Sequence, residues 1–445
     1  MTSTSASSDS LLRVRRSPPL RGVCRVPGDK SISHRALLFG ALCDGSVTIR
    51  GLGTGGDNRA TAEAMRAMGV EIEIKGEGAE VQGVGLRGLR APQTEIDCGN
   101  SGTSIRLLMG LLAGQPFSAT LVGDASLSRR PMGRVALPLM QMGASIQGRP
   151  GPGETYPPLV VQGGKLKGIR YDLPVASAQL KTALVLAGLQ AEGPTTLREP
   201  GLSRDHTERM LGHLGAPIVA DAAKRTVRVD PMGWDGKLRA MPLLVPGDLS
   251  SAAFILVAAS IVPGSDVVIE NVGLNPTRSG VVDVLCAMGA DLDIQQGTSA
   301  MGEPVGTVRV RAASLRGVRV EGDLALRALD EVPILAVAAA CASGPSTFAD
   351  LGELRVKESD RIASVVRELS RAGVAIQEAP EGFTIEGKAG GPFAGGDAKP
   401  DHDHRIAMAS AVLGLLAEEE TRIPKEDIGT SFPGFASTLS ALAGR

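Results

Sequence analysis

The chain has 445 residues, 43 % of them apolar, with only eight Phe, two Tyr and one Trp, and a formal net charge of −1. That length exceeds what one ordinary core organises and makes two domains the expectation. Near-neutral charge argues against a nucleic-acid or acidic-membrane partner, so an anionic ligand would have to be met by local clusters of Lys and Arg.

Residues 1–19 are rich in Ser and Thr, carry three arginines and have no apolar segment of signal-peptide length. They read as a disordered tail rather than a targeting signal. The stretch Val26–Arg35, Val-Pro-Gly-Asp-Lys-Ser-Ile-Ser-His-Arg, then sets a Pro-Gly turn and Lys30, Ser31 and Arg35 at the start of an apolar helix. A helix start leaves N–H groups unpaired and carries partial positive charge, so this is a seat for an anion such as phosphate. An apolar helix is predicted over Ile32–Cys43, a strand over Val47–Arg50, an amphipathic helix over Asn58–Met68 ending at Gly69, and a hairpin from residues 70–74 and 79–82.

Five further copies of this pattern follow. Their apolar helices begin near Thr103, Ala178, Ser251, Val332 and Ile406. Their next strands are Ala119–Val122, Thr195–Arg198, Asp266–Glu270, Ser346–Ala349 and Thr421–Pro424. Second helices end at Met142-Gly143, Leu214-Gly215, Met288-Gly289 and Ala372-Gly373, and the sixth stops around Ala443. The sixth copy runs out before its closing strands. The strand around Gly22–Val26 is expected to supply part of what is missing, placing both termini in one domain.

The turn recurs as Val245-Pro246-Gly247-Asp248-Leu249-Ser250, without the lysine and arginine. Six units thus divide into two sets of three, with chain crossings near residues 27 and 246. The expected fold is α+β: a central domain of residues 28–246 and a terminal domain of 1–27 plus 247–445, each of three units with pseudo-three-fold symmetry. One helix per unit is apolar nearly all round and should be buried; its partner is two-faced and should lie outside. Inner-helix starts that face each other across the domains would make the cleft an anion trap.

Cysteines 24, 43, 98, 286 and 341 form no C-x-x-C pair and sit in apolar stretches, as core thiols of a cytoplasmic protein would. The apolar runs Ala252–Val262 and Val332–Ala342 fall short of the roughly 20 residues a membrane span needs.

Charged and small residues cluster at helix starts. Arg106 follows Asn100-Ser101-Gly102-Thr103-Ser104, where backbone can approach a ligand closely. Arg129 and Arg130 precede Pro131. Ser177-Ala178-Gln179 opens an inner helix and Arg204-Asp205-His206 an outer one. Lys357, Glu358, Asp360 and Arg361 share one run, and Asp403-His404-Arg405 opens the last inner helix. Taken singly, each also fits a cap or a solvated charge; recurrence at equivalent places points to function. Asp330 could cap a helix and Glu358 could sit in an ion pair with Arg361, or the two could be a base and an acid. His402 and His404 imitate a metal pair, but no third ligand lies near in sequence, and no metal is expected. There is no Walker loop and no G-x-G-x-x-G after a strand, which disfavours nucleotides.

As a set, Pro-Gly-Asp-Lys-Ser-Ile-Ser-His-Arg, Asn-Ser-Gly-Thr, Arg-Arg-Pro-Met-Gly-Arg, Ala-Ser-Ala-Gln, Arg-Val-Lys-Glu-Ser-Asp-Arg and Asp-His-Arg-Ile-Ala-Met closely resemble the 5-enolpyruvylshikimate-3-phosphate synthase family, over about residues 20–440. The resemblance implies two domains of three βαβαββ units, an inside-out α/β barrel. It also implies transfer of the enolpyruvyl group of phosphoenolpyruvate to the 5-hydroxyl of shikimate 3-phosphate, on the way to chorismate.

By the same resemblance, Lys30, Ser31, Arg35, Ser177, Ala178, Gln179 and Arg204 hold shikimate 3-phosphate, with Asp330 and Lys357 on the same side. Lys30, Gly102, Arg130, Gln179, Arg361 and Arg405 hold phosphoenolpyruvate. Asp330 takes the hydroxyl proton and Glu358 handles the proton at the enolpyruvyl methylene, with Lys30 as a third catalytic group. No cofactor is implied, and a monomer in the cytoplasm is expected. Ala-Ser-Ala-Gln and Ser-Arg-Asp-His-Thr-Glu resemble a bacterial variant group with herbicide-tolerant members. Tolerant members often carry alanine at the position of Gly102, in the space shared by the phosphonate inhibitor glyphosate. Many members carry a lysine where this chain has Thr430.

Two other readings stay open at this point. Fold relatives that act on a UDP-linked amino sugar usually have Lys-Asn where this chain has Lys30-Ser31, and often a cysteine in the loop that here runs Ser126–Met132 without one. A non-catalytic anion-binding protein would be expected to have lost Asp330, Glu358 or the arginines, and all are present.

Overall fold

Runs of Ala, Leu, Val and Ile too uniformly apolar to leave a polar face become the inner helices, and two-faced stretches become the outer ones. The computed structural model of the chain describes residues 10–151, 154–429 and 431–444. In the first three units, inner and outer helices alternate as α1 (Lys30–Leu42) and α2 (Gly56–Ala67), α3 (Gly102–Leu112) and α4 (Gly133–Met142), and α5 (Ala178–Gly188) and α6 (His206–His213). The fourth unit has α7 (Leu249–Ile261) and α8 (Gly280–Ala287). A short α9 (Gly322–Arg327) then precedes the fifth, α10 (Val332–Cys341) and α11 (Arg361–Arg371). The sixth has α12 (His404–Gly414) and α13 (Phe435–Leu442).

Each unit adds a small sheet. In the second, Ile96–Asp97 runs parallel to Ser118–Val122, which pairs antiparallel with Glu154–Gln162, itself in a hairpin with Ser145–Gly151. The first unit takes its parallel strands, Leu238–Arg239 and Leu243–Leu244, from the far end of the third, which closes the ring of three. The fourth takes Arg21–Arg25, parallel to Asp266–Gly273.

Here the fold corrects two expectations. The strand near Gly22–Val26 completes the fourth unit, not the sixth. The sixth is completed by Leu11–Val14, antiparallel to Thr421–Pro424, so part of the supposed disordered tail is ordered sheet. Residues 1–9 and Thr430 lie outside the described residues.

Two separate apolar cores result. One gathers α1, α3 and α5, with Leu37, Leu108 and Leu184 at its centre. The other gathers α7, α10 and α12, with Phe254, Val337 and Val412, and it includes Val14, Leu20 and Val26 from near the N-terminus. α7 and α10 are buried along their whole length. Fully burying one such side chain contributes about 1.5–3 kcal/mol, so these helices are fixed by packing rather than by propensity. Cys43, Cys98 and Cys341 are core residues as expected; Cys24 is only half-buried, and Cys286, on the outer face of α8, is exposed. Among the described residues no helix is long and apolar enough to cross a membrane.

The two crossings touch. Asp29 N–H donates to the Pro246 carbonyl and Asp248 N–H to the Pro27 carbonyl, each at 2.8 Å. Glycine is required there: a Cβ on Gly28 would lie 1.7 Å from the Gly51 carbonyl oxygen. The Pro-Gly-Asp turn thus lets two backbones pass, and its aspartates then cap α1 and α7.

Candidate active site

Capping decides which N–H groups and side chains face the cleft between the cores. Asp29 accepts from Ile32 N–H at 2.8 Å and Ser101 from Ser104 N–H at 3.0 Å, while Ser177 caps α5 through Leu180. Each cap satisfies one N–H of its helix start and leaves the neighbouring groups directed outward. The cleft holds about 220 Å³. Lys30, Gly102, Arg130, Ser177, Ala178, Gln179 and Arg204 line it from one side, and Asp330, Lys357 and Glu358 from the other.

Positive charge is concentrated on the first wall. Arg106 donates to Gln179 Oε1 at 2.8 Å, and Gln179 in turn donates to Thr103 Oγ1 at 2.9 Å. Arg130 donates to Asn100 Oδ1 at 2.6 Å, and Arg134 pairs with Glu353 at 3.2 Å across the cleft. Burial, with Arg134 and Arg130 beside it, pushes the Arg106 guanidinium down to about 9. Arg106, Arg130 and Arg134 each keep a buried Nε without a hydrogen-bond partner among the described residues. An anion placed among them would relieve that repulsion.

The carboxylates stand opposite. Asp330 lies in a 3₁₀ turn, Leu329–Glu331, and does not cap α10; Glu331 occupies the cap position. Asp330 instead pairs with Arg204, with Arg361 at 3.4 Å and with Lys357 at 3.6 Å. Burial opposes its charge, but Lys357, Arg204, Arg405 and Arg361 outweigh that and hold it well below the usual carboxylate range. Glu358 does sit in the ion pair, accepting from Arg361 Nη2 at 2.8 Å. Burial opposes its charge as well, and Arg361, Lys30 and Lys357 hold it well below the ordinary glutamate value.

Several expected residues stand behind the two walls rather than among the residues that line the cleft. Arg361 is 1 % exposed, braced by Asp403 at 2.8 Å. Arg405 Nη1 donates to the Asp330 carbonyl at 2.9 Å. Arg35 is buried and turned inward, donating to Thr207 Oγ1 and Thr182 Oγ1 at 2.8 Å and to the Ser31 carbonyl at 3.0 Å. Ser31 is half-buried in the first turn of α1. His404 is buried, and burial and then Arg405 push its imidazole down to about 4. His402 lies apart from it, grouped with Glu426 and Asp427, with ligand atoms within 4.8 Å of one another.

Some lining residues escape a reading of the sequence. Asp57, in the first turn of α2, pairs with Lys30. Arg134 ends the Arg-Arg-Pro-Met-Gly-Arg run, which is a usable signal; Glu353, in the 3₁₀ turn Gly352–Val356, has none. Lys181 of α5 does not line the cleft; it is buried between Glu199 at 2.9 Å and Glu208 at 2.7 Å.

The family described as EPSP synthase (3-phosphoshikimate 1-carboxyvinyltransferase) matches residues 14–439. A 3-phosphoshikimate 1-carboxyvinyltransferase of Synechococcus sp. (strain JA-3-3Ab) is 51 % identical over 444 residues, covering 99 % of this chain and 98 % of its own. One of Alkalilimnicola ehrlichii is 52 % identical over 425 residues, 95 % of this chain and 93 % of its own. The solved EPSP synthase of Acinetobacter baumannii superposes with a TM-score of 0.86 at 44 % identity, over 97 % of this chain and 98 % of that one. The enolpyruvyl transferase NikO of Streptomyces tendae shares the fold, with a TM-score of 0.75 at 18 % identity over 97 % of both chains.

Proposed function

The chain belongs to the EPSP synthase family and transfers the enolpyruvyl group of phosphoenolpyruvate to shikimate 3-phosphate in aromatic biosynthesis; we propose that it does so in the cleft between its two cores, with Asp330 as base and Glu358 as acid. The observation that carries this assignment is the placement of two carboxylates opposite a wall of cations at converging helix starts.

In this reading Lys30, Ser31, Ser177, Ala178, Gln179 and Arg204 hold shikimate 3-phosphate, with Lys357 and Asp330 at its hydroxyls. Arg35 contributes by fixing the Ser31 carbonyl and tying α1 to α5 and α6. Lys30, Gly102, Arg130, Gln179, Arg361 and Arg405 take phosphoenolpyruvate. Glu358 delivers a proton to the methylene carbon, which makes C2 electrophilic. The 5-hydroxyl oxygen bonds to C2 while Asp330 removes its proton. Phosphate then leaves the tetrahedral adduct as the methyl proton returns to Glu358, restoring the double bond. Fixed guanidinium groups and helix starts stabilise the anionic adduct without reorganising.

The reading treats residues 28–246 as one domain and 1–27 with 247–445 as the other, closing on the substrate to exclude water. Two separate cores joined at adjacent crossings support it. Because one chain supplies both walls of the cleft, the monomer is the proposed working unit. Five free cysteines fit a reducing, cytoplasmic compartment. A coupled phosphate-release assay tests the activity. Phosphate should appear only when shikimate 3-phosphate and phosphoenolpyruvate are both present. Release with a UDP-linked amino sugar in place of shikimate 3-phosphate would overturn the substrate assignment.

A further inference from the structure

Behind the cleft, at the chain crossings, one arginine is surrounded by carboxylates. Arg278 belongs to the loop Asn275-Pro276-Thr277-Arg278, between the strand Asp266–Gly273 and α8, and its side chain is 4 % exposed. Its Nη1 donates to Asp29 Oδ2 at 3.1 Å. Its Nη2 donates to Asp248 Oδ1 at 3.0 Å and to Ser250 Oγ, and Glu331 Oε1 lies 3.7 Å away. Ser250 Oγ also donates to Glu331.

The identity of these partners matters more than their number. Asp29 caps α1 and is the residue immediately before Lys30. Asp248 caps α7, the first helix of the other core. Glu331 is the residue immediately after Asp330 and approaches Arg405 at 3.8 Å. One rigid guanidinium fork therefore spans the seam between the cores, one residue removed from a cleft residue on each side.

The rest of the loop grips the same seam. Asn275 Nδ2 donates to Asp205 Oδ1 at 2.6 Å and to Glu303 Oε2 at 2.8 Å, and Glu303 pairs with buried His206 at 2.8 Å. These contacts lie in the interior. Of the other ion pairs between the cores among the described residues, Arg204–Asp330 is part-buried in the cleft, while Arg134–Glu353 and Arg225–Asp323 have 31 to 74 % exposed side chains. Buried contacts beside the crossings can persist while the domains swing, whereas exposed ones at the mouth can open and close at little cost.

We infer that Arg278 is a positioning residue for the transfer reaction, fixing the start of α1, and with it Lys30, in register with Asp330 across the joint on which the domains close. It touches no substrate. The inference rests on the proposed roles of Lys30 and Asp330. A misplacement of about 1 Å between such groups costs on the order of 10²-fold in rate.

Arg278→Lys keeps the charge but cannot make the same two-pronged bridge. It should fold with an unchanged circular dichroism spectrum and lower kcat on the order of ten- to a hundredfold. The dissociation constant for shikimate 3-phosphate, held mainly from one wall, should move less than about threefold, because misregister taxes the reaction more than binding. Asp29→Asn, which can still cap α1, is the second variant and should reproduce the kcat loss if Arg278→Lys fails to fold. In an Asp330→Asn background, Arg278→Lys should add no more than about twofold, since both changes act through one group. Parental kcat in a folded Arg278→Lys or Asp29→Asn variant overturns the inference, as does a full multiplicative loss in the double variant. Parental kcat in Asp330→Asn alone removes the role given to Asp330 and the inference with it, a failure visible without any change at Arg278.

Discussion

Gly102→Ala is the most discriminating single substitution, because the surroundings of the added methyl are defined. Gly102 is the first residue of α3, and its backbone is not in the left-handed region, so alanine can adopt it. A Cβ there would lie 2.9 Å from Arg106 Nη1 and 3.2 Å from Arg130 Nη1. Both are the ends of long side chains, so the helix need not move; the two guanidinium groups must yield by a few tenths of an ångström. Arg106 is the less free, held by Gln179 at 2.8 Å. Overpacking of this kind costs roughly 1–3 kcal/mol. At 1.4 kcal/mol per factor of ten, the loss available to a ligand against this wall runs from about five- to about 150-fold.

Phosphoenolpyruvate, the shorter ligand, should avoid part of that loss, and its KM should rise a few-fold as Arg130 shifts. Glyphosate, which is longer, should bear most of it. We expect the inhibition constant for glyphosate to rise at least tenfold more than the KM for phosphoenolpyruvate, with the parent enzyme sensitive. The assay is phosphate release with both constants measured in both forms. Equal losses for the two ligands, or a parent already insensitive, would show that neither ligand packs against Gly102 as argued.

Other consequences follow from the same cleft. Asp330→Asn and Glu358→Gln should each leave the fold intact by circular dichroism and cut kcat about 10²–10⁴-fold, the usual loss for an acid or base; near-parental turnover in either removes that residue from the chemistry. Shikimate 3-phosphate should reduce the radius of gyration in small-angle scattering by drawing Arg204 and the other cations of the first wall and Lys357 of the second onto one anion, and an unchanged radius at saturation speaks against closure unless the empty form is already compact. Burial pushes the imidazole of His34 down to about 3, and burial with Arg405 pushes that of His404 down to about 4. The unfolded chain, with histidines near 6.5, therefore binds more protons than the folded one below that pH. Stability should fall from pH 6.5 towards 4, by about 2 kcal/mol per histidine at pH 5. His34→Gln should flatten the melting temperature between pH 7 and 5, and parallel curves for the two forms would refute the assignment.

What the sequence allowed to be read, and what it hid, has a physical pattern. The inner helices are visible because a stretch such as Ala252–Val262 is apolar on every side and can only be interior. Their starts shift by a residue or two: α12 opens at His404 rather than Ile406, because Asp403 caps it. Two-residue strands such as Ile96–Asp97 and Gly396–Asp397 have too few residues to show a period. Leu11–Val14 reads as tail because its reason to be a strand lies elsewhere: Arg13, for example, bonds Glu420, 407 residues away. Among the cleft-lining residues, Lys30, Gly102, Arg130, Gln179 and Arg204 are legible from recurrence at helix starts. Asp57 and Glu353 are not, since a lone carboxylate on an outer turn looks like solvated charge until the fold brings a cation to it. Arg35 marks the opposite limit, for its motif identifies it while its side chain points away from the cleft into α5 and α6.

The pairing of charges in the empty cleft also bears on how a held carboxylate can act as an acid. Lys30 is matched with Asp57, Arg204 with Asp330, and Arg361 with Glu358 and Asp403. These three cations, each proposed to meet a substrate, are thus already aimed, with a carboxylate standing in for the anion to come. Arg361, with Lys30 and Lys357, favours the charged form of Glu358 in the free protein, so the acid role proposed for it requires that this hold be loosened. When the carboxylate and phosphate of phosphoenolpyruvate engage Arg361 and Lys30, two groups that favour its charge are shared with a new anion, and its proton affinity must rise. The same holds for Asp330 as shikimate 3-phosphate engages Arg204. On the roles proposed for Glu358 and Asp330, phosphoenolpyruvate makes the first a better acid and shikimate 3-phosphate makes the second a better base, so both are ready only when both anions are present. A site built this way resists spending phosphoenolpyruvate on water, since with either substrate missing one carboxylate remains tied to its arginine.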